Sequence, residues 1–379
     1  MRILLLNGPN LNLLGTRAPE VYGATTLREV EELCRSRAEE YGHRLDAYQS
    51  NHEGDLIDAI QGARHSHDAI VFNPGAYTHT SYALHDAIEA VGVPAIEIHI
   101  SNVREREPWR RISRTEPACV YQIFGRGVSG YLAAISHLHY RAAQPPTTLP
   151  YGTHDDQVGD LRLPDRPGPH PVAVLVHGGG WTGPFTRDTM DGMAVGLAGT
   201  GLATWNIEYR RIPPVGGWRD TMADVVAGLD SLSTFADRYP LDLDNVTVVG
   251  HSAGSQLGYF AARRATFGPA RFVSLAGMLD LRGLGSGFDD LLSGFLGNDL
   301  GTCLDQIDPI GALPLDLPIV VVHGGSDNAV SPVQSRRFTE EALMAGDRVR
   351  LVEIDAAGHE DLIDARAPWW DTVAAVCRA

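Results

Sequence analysis

Short apolar runs recur along this chain, each followed by a longer stretch of helical periodicity, and that alternation admits few folds. In the first half Ile3 to Leu6, Leu45 to Gln49, Ala69 to Phe72, Ala95 to His99 and Val120 to Phe124 read as strands buried on both faces, because a strand covered on one side only would alternate apolar with polar residues. Amphipathic helices fit between them. The clearest opens on a capping box from Thr26 to Glu29, repeats Leu27, Val30, Cys34, Ala38 and Tyr41 on one face, and stops near Gly42. Strands alternating with helices predict a parallel, doubly wound sheet. The pattern then restarts. Leu161 and Leu163 alternate with charge before the proline cluster Pro164 to Pro171, which reads as an outer hairpin. Val172 to Val176, Ala203 to Ile207, Val246 to Val249, Phe272 to Leu275, Ile319 to Val322 and Val349 to Ile354 follow as strands. The helical candidates between them are Asp188 to Leu197, Asp220 to Phe235, Ala253 to Ala265 and Ser331 to Ala345, giving a second α/β sheet.

The two series meet at AQPPTTLP, which ends at Pro150. Pro145, Pro146 and Pro150 lack backbone donors and push their neighbours toward extended geometry, so neither a helix nor a central strand passes through. A semi-rigid spacer is expected. The chain thus divides into a domain at 1–143, a proline-rich linker at 144–150 and a second domain at 151–379. A length of 379 residues suits two domains, each with its own core.

Composition narrows the partners. A formal net charge of -16 repels phosphate, which argues against nucleic acid and anionic membranes, so an anionic ligand must be captured by local arginines. Cys34, Cys119, Cys303 and Cys377 are scattered without a CxxC pair, as expected of reduced thiols in a cytoplasmic protein. No metal site is suggested. The apolar run at Ile3 to Leu6 is too short for a secretory signal, and no later run would span a bilayer.

Ligands of doubly wound sheets bind beyond the carboxyl ends of the strands. There the first half places Asn7 and Asn12, then Asn73, then His99 with Ser101 and Asn102. The stretches NGPNLNLLGTRAPEVYG, QSNHEGDLID, NPGAYTHTS, IEIHISN and GVSGYLAA resemble type II 3-dehydroquinate dehydratase over essentially the whole first half. The resemblance implies a flavodoxin-like fold and cofactor-free anti elimination of water from 3-dehydroquinate through an enolate. It also implies a homo-oligomer of trimers gathered into a dodecamer.

The residue chemistry agrees. A tyrosine removes a proton from carbon only as phenolate, and bringing its pKa from about 10 toward neutrality takes roughly 4 kcal/mol, for which an adjacent guanidinium is the economical source. Tyr22 is therefore assigned as base and Arg17, five residues earlier, as its activator. His99 matches the general acid, a task that suits histidine because its pKa lies near operating pH. By the same resemblance Asn12 holds a water against the enolate oxygen, and the amides of Ile100 and Ser101 receive the substrate carboxylate. Asn73, His79, Asn102 and Arg110 bind the ring hydroxyls and carboxylate, Asp86 is offered across the subunit interface, and Glu97 orients the acid. Three positions depart from the family's usual spelling, with Ala18 in place of Glu, His85 of Arg or Lys, and Ile112 of His. A flavin site is the rival reading of this fold, but the loop after the first strand has no run of hydroxyl residues to cradle phosphate.

In the second half three motifs stand at strand ends. HGGGW begins at His177, GHSAG runs from Gly250 to Gly254 between a strand and a helix, and HGGSDNAV and AAGHED carry Asp327 and His359. Strand–turn–helix is the context a GxSxG serine requires. The order Ser, Asp, His is that of α/β-hydrolases, and the spelling is similar to the esterase and kynurenine formamidase-like branch. Ser252 needs His359 to accept its proton, and His359 needs Asp327 to fix its tautomer. Asp355 is the rival acid, and Asp327 has an alternative use as a helix cap. The N–H of Ala253 is one oxyanion donor, and the resemblance implies Gly178 and Gly179 as others. Trp181 belongs either to the acyl-pocket wall or to the packing beneath it. The expectation is therefore a bifunctional enzyme, a dehydratase followed by a carboxylester hydrolase, with no cofactor. Quinate- or shikimate-type esters are the suggested second substrate, and a formamidase-like amidohydrolase or a non-catalytic binding module is the alternative.

Overall fold

The computed structural model describes residues 1–17, 19–212, 217–297 and 300–378, so Ala18 lies outside the described residues. The chain divides into two compact units, Met1–Ala142 and Ala143–Ala379.

The first unit is one parallel sheet of β1 (Arg2–Asn7), β2 (Arg44–Gln49), β3 (Ala69–Asn73), β4 (Ala95–His99) and β5 (Tyr121–Phe124) in the order β2-β1-β3-β4-β5, the flavodoxin-like arrangement. Its inner strands β3 and β4 are buried at every residue, which is why they read as unbroken apolar runs. Alternate side chains pack on opposite faces. Ile3 and Leu5 join Val30, Cys34 and Ile135 on one side, while Leu4 and Leu6 join Leu56, Ile60 and Ile88 on the other. The capping box forms as expected, with Thr26 and Glu29 exchanging both bonds at the start of the helix Leu27–Glu40. Register then sets the rim, since Asn7 pairs with Asn73 and His99 with Phe124. Those polar strand ends therefore lie along one edge of the sheet.

The second unit is an eight-stranded sheet made of β6 (Thr147–Pro150), β7 (Val158–Arg162), β8 (His170–Val176), β9 (Ala203–Ile207), β10 (Leu241–His251), β11 (Arg271–Leu275), β12 (Ile319–Gly324) and β13 (Val349–Ile354). The order is β13-β12-β11-β10-β8-β9-β7-β6, antiparallel only at β7 and β6, as in α/β-hydrolases. Crossover at β10 and β8 puts Gly250 beside Val176, so the strand that carries the serine turn and the strand that leads into HGGGW end together.

One expectation needs correcting. Thr147–Pro150, read as spacer, is instead the edge strand of this sheet, paired with β7 through Thr147↔Leu161 and Pro150↔Val158. A proline is excluded from central strands but tolerated on an edge. Gln144 belongs with it, because its side chain donates to the Leu163 carbonyl at 2.9 Å and its own carbonyl accepts from Arg162 at 3.2 Å. No described helix is long and apolar enough to cross a membrane.

Candidate active sites

The first site is a cleft over the carboxyl ends of β1, β3 and β4, whose lining includes Asn10, Arg17, Tyr22, Asn73, His79, His99, Ile100, Ser101, Arg106 and Arg110. His99 is held from below. His99 Nε2 bonds Glu97 at 2.6 Å, which leaves Nδ1 as the nitrogen free to serve the cleft. Burial alone would raise the Glu97 pKa, but the bonds from His99, Thr115 and Gln122 overcome it and hold the carboxyl at about 2. Thr78 adds a fourth donor at 2.9 Å. An ionised, buried Glu97 therefore orients the His99 ring.

Tyr22 lies at the end of a short helical turn, Pro19–Tyr22. The Arg17 guanidinium is 5.4 Å from its ring centre, and Arg106 Nη1 donates to its hydroxyl at 3.1 Å. Arg106 was missed in the sequence. It sits in a run of arginines from Arg104 to Arg114, and nothing in that run's spacing singles it out. Asn73 is buried and locked, its Nδ2 donating to Tyr131 Oη at 2.7 Å while that hydroxyl donates to Asn7 Oδ1 at 2.8 Å. His79 Nδ1 bonds the Ile112 carbonyl at 2.9 Å, and burial lowers its pKa. Arg110 lines the cleft while both Glu107 oxygens accept from its Nη1 at 2.9 Å. His85 bonds the Arg114 carbonyl at 2.8 Å, and Ile112 is exposed.

Two assignments move. Asn12 is exposed on the turn Leu11–Leu13 and does not line the cleft; Asn10 does, with φ 65 and its N–H donated to Asn51 Oδ1 at 2.9 Å. A left-handed residue begins that turn, and asparagine tolerates the conformation, so the chain turns Asn10 toward the rim and Asn12 away. Asn102 is not among the lining residues either, and its side chain accepts from the Arg104 N–H at 3.2 Å as a turn cap. Asp86 is exposed outside the cleft on the helix Tyr82–Val91.

The second site is built around Ser252, which follows β10 with φ 53 and ψ -122 and precedes the helix Ala253–Arg264. Such a strained turn is affordable only where glycines let backbones close in. A Cβ on Gly254 would stand 2.2 Å from the Val176 carbonyl oxygen, and one on Gly250 would stand 2.4 Å from that of Gly254. Ser252, His251, His359, Gly178, Gly179, Phe185, Met278, Phe288, Leu291, Val330 and Glu360 share one cavity. His359 Nδ1 meets Asp327 Oδ2 at 2.7 Å, so Asp327 and not the exposed Asp355 is its partner. Asp327 also accepts from the Ala329 and Val330 amides at 2.8 and 2.9 Å, in the turn before the helix Val333–Met344, whose N-cap is Pro332, so it braces that turn and does not cap the helix. Burial works against its ionisation, yet bonds from His323, His359 and the Val330 amide hold the carboxyl well below the usual range. Among the described residues no hydrogen bond joins Ser252 to His359; such contacts often tighten only around substrate.

The HGGG segment after β8 is braced by Tyr209, whose hydroxyl donates to the His177 carbonyl at 2.7 Å, and by Glu208, which accepts from His177 at 3.0 Å and from the Arg187 amide at 3.0 Å. Ala253, the other proposed donor, is buried in the first turn of the helix behind Ser252. Trp181 is fully buried, stacked on Phe295 at 4.3 Å and bonded to Gln256. It is packing beneath the cavity rather than wall.

A parallel five-stranded sheet with a polar rim, followed by an α/β-hydrolase sheet with a serine elbow, defines two enzyme folds in tandem. Residues 1–139 match the family model described as dehydroquinase class II, and residues 160–275 match one described as BD-FAE. The catabolic 3-dehydroquinase 1 of Neosartorya fischeri is 56% identical over 136 residues, covering 36% of this chain and 91% of that protein. Its counterpart in Aspergillus terreus is 55% identical over 136 residues, covering 36% and 90%. The chain belongs to the class II dehydroquinase family. Its second unit shares its fold with an inhibited esterase B from Lactobacillus rhamnosis, at a TM-score of 0.56 and 20% identity, covering 65% of this chain and 91% of that one.

Proposed function

We propose that the chain is bifunctional, with a dehydratase site that converts 3-dehydroquinate to 3-dehydroshikimate and a serine hydrolase site that cleaves carboxylic esters. For the first, the carrying observation is the pairing of Tyr22 with Arg106 across one cleft from His99 on Glu97. The Arg106 bond holds Tyr22 as phenolate, and that phenolate takes the proton beside the ketone, its negative charge passing to the substrate. The electrons form an enolate, and His99 then protonates the departing hydroxyl, which leaves as water. Arg17, 5.4 Å from the Tyr22 ring centre, adds positive charge beside the phenolate, and Arg110 with the Ile100 and Ser101 amides offers donors for the carboxylate. The catabolic 3-dehydroquinases among the relatives support a degradative route. Asp86, exposed outside its own cleft, supports service to a neighbouring subunit in a trimer-based dodecamer, and sedimentation of the intact chain tests this.

For the second site, the Ser252 turn and the His359–Asp327 bond carry the reading. His359 accepts the Ser252 proton as Oγ attacks the ester carbonyl. The tetrahedral oxyanion is received by the amides of Ala253, Gly178 and Gly179, each such donor being worth about 3 kcal/mol. His359 then returns the proton to the leaving alcohol, and water repeats the sequence on the acyl-enzyme. Fusion to a dehydroquinase supports an ester of a quinate- or shikimate-type acid. The test sets such esters against simple nitrophenyl esters and N-formylkynurenine, with Ser252→Ala as control. Preference for the formamide replaces the esterase reading, and absence of any Ser252-dependent turnover or fluorophosphonate labelling overturns catalysis altogether.

A further inference from the structure

The acid of the second site has a partner that the triad does not account for. His323, in β12, is fully buried four residues before Asp327. Its Nδ1 meets Ser335 Oγ at 2.6 Å, and its Nε2 meets the Val330 carbonyl at 2.9 Å and Asp327 Oδ2 at 3.2 Å. The partners fix the tautomer. A carbonyl oxygen and a carboxylate oxygen only accept, so Nε2 carries the proton and shares it between them, while Ser335 donates its hydroxyl to Nδ1. Asp327 Oδ1 is spent on the Ala329 and Val330 amides, and Oδ2 faces His359 and His323 together.

We infer that His323 is a positioning residue for the hydrolysis proposed above: its Nε2–H holds the Asp327 carboxylate and takes part of the charge that would otherwise bear on His359. Two effects follow. The carboxylate plane is fixed by donors on both oxygens, which aims Oδ2 at His359 Nδ1. A carboxylate oxygen that already accepts one bond is also a weaker acceptor for the second, so His323 moderates the stabilisation of the His359 imidazolium. Without it the imidazolium loses its proton at higher pH, and the acid limb of the rate profile, where the base must be neutral, moves up. The other groups facing the pair are His251, with its ring centre 4.7 Å from that of His359, and Glu360 at the cavity. Burial pushes His251 down to about 4, so it does not titrate in the window where that limb is read.

The test compares His323→Gln with His323→Asn in the full chain. Glutamine places an N–H where Nε2 stood, whereas asparagine reaches only the Nδ1 position toward Ser335. The asparagine variant is expected to lose about tenfold in kcat on a nitrophenyl ester with KM within about twofold, and to raise the acid limb of kcat/KM by about half a pH unit. The glutamine variant keeps the wild-type limb and recovers most of kcat. Ser252 labelling by a fluorophosphonate, which needs His359 but no matching acyl group, shows the same pH shift. Should both variants unfold, Ser335→Ala releases His323 more gently and moves the limb in the same direction. Equal limbs in all variants and wild type overturn the assignment and leave His323 a packing residue. A wild-type chain that is neither labelled nor active overturns the hydrolase reading itself.

Discussion

Glu97 shows how much one side chain can carry. Its carboxyl is buried, ionised and bonded by His99, Thr78, Thr115 and Gln122, and its pKa falls from 4.5 to about 2 on folding. A depressed carboxylate stabilises the fold above its unfolded pKa and loses that contribution as pH drops through the folded value. The expected contribution is roughly 3 kcal/mol, present at pH 6 and largely gone near pH 2. Thermal unfolding of the first unit should therefore show a downward slope in stability between pH 5 and pH 2 that Glu97→Gln flattens; an unchanged slope in the variant would contradict this account. The residue scale is also where the sequence was hardest to read. His99, Ser252 and His359 were legible as candidates because each sits in a distinctive string near a strand end, and Tyr22 because of the string around it in the loop after β1. Asn12 was not, because two asparagines two residues apart differ only in which one takes φ 65. Arg106 was hidden among arginines, and only the folded loop shows which guanidinium reaches the Tyr22 hydroxyl.

Elements were legible where their own residues determine them. The inner strands of both sheets fall close to their apolar runs, because full burial requires such runs. Helix boundaries slipped where local geometry intervenes: Asp188 to Leu197 became a tight turn Arg187–Met190 followed by the helix Asp191–Thr200, and Asp220 to Phe235 broke into Trp218–Asp230 and Leu232–Phe235. The serine turn carries the sharpest steric demand. Gly254→Ala drives a methyl to 2.2 Å from the Val176 oxygen, with an expected loss of about 3 kcal/mol or more in the second unit. Unfolding monitored by ester hydrolysis should drop, while dehydration of 3-dehydroquinate continues; normal ester activity at the wild-type melting temperature would refute the steric argument. The segment 144–150 makes a second element-scale prediction. Deleting it removes β6 together with the Gln144 bonds, so the second unit loses stability by about 1–3 kcal/mol, whereas a true spacer could be removed with no change in its unfolding temperature.

For the whole molecule, the two compact units place the two proposed catalytic sets on separate sheets, each with its own core. Tyr22→Phe is accordingly expected to lower dehydration by at least about a hundredfold and to leave ester hydrolysis intact, and Ser252→Ala to do the reverse. Loss of both activities from either change would show coupling that two separate sheets do not provide. The tandem architecture was readable from the alternation alone, since each sheet needs its own series of strands. The seam was misread because proline content says where a regular ladder is interrupted, but not whether a neighbouring chain pairs with what remains.

That seam matters in another way. The sheet of the second unit has two open sides, and an open side is a template on which foreign strands, or other copies of this chain, can add. At one side β6 is short and ends at Pro150, with Pro145 and Pro146 just before it, so the backbone there has few donors to offer. At the other, β13 carries exposed Arg350 and Glu353, and adding a strand there would crowd or desolvate charge. Unguarded sheet edges invite aggregation, and both edges here are guarded.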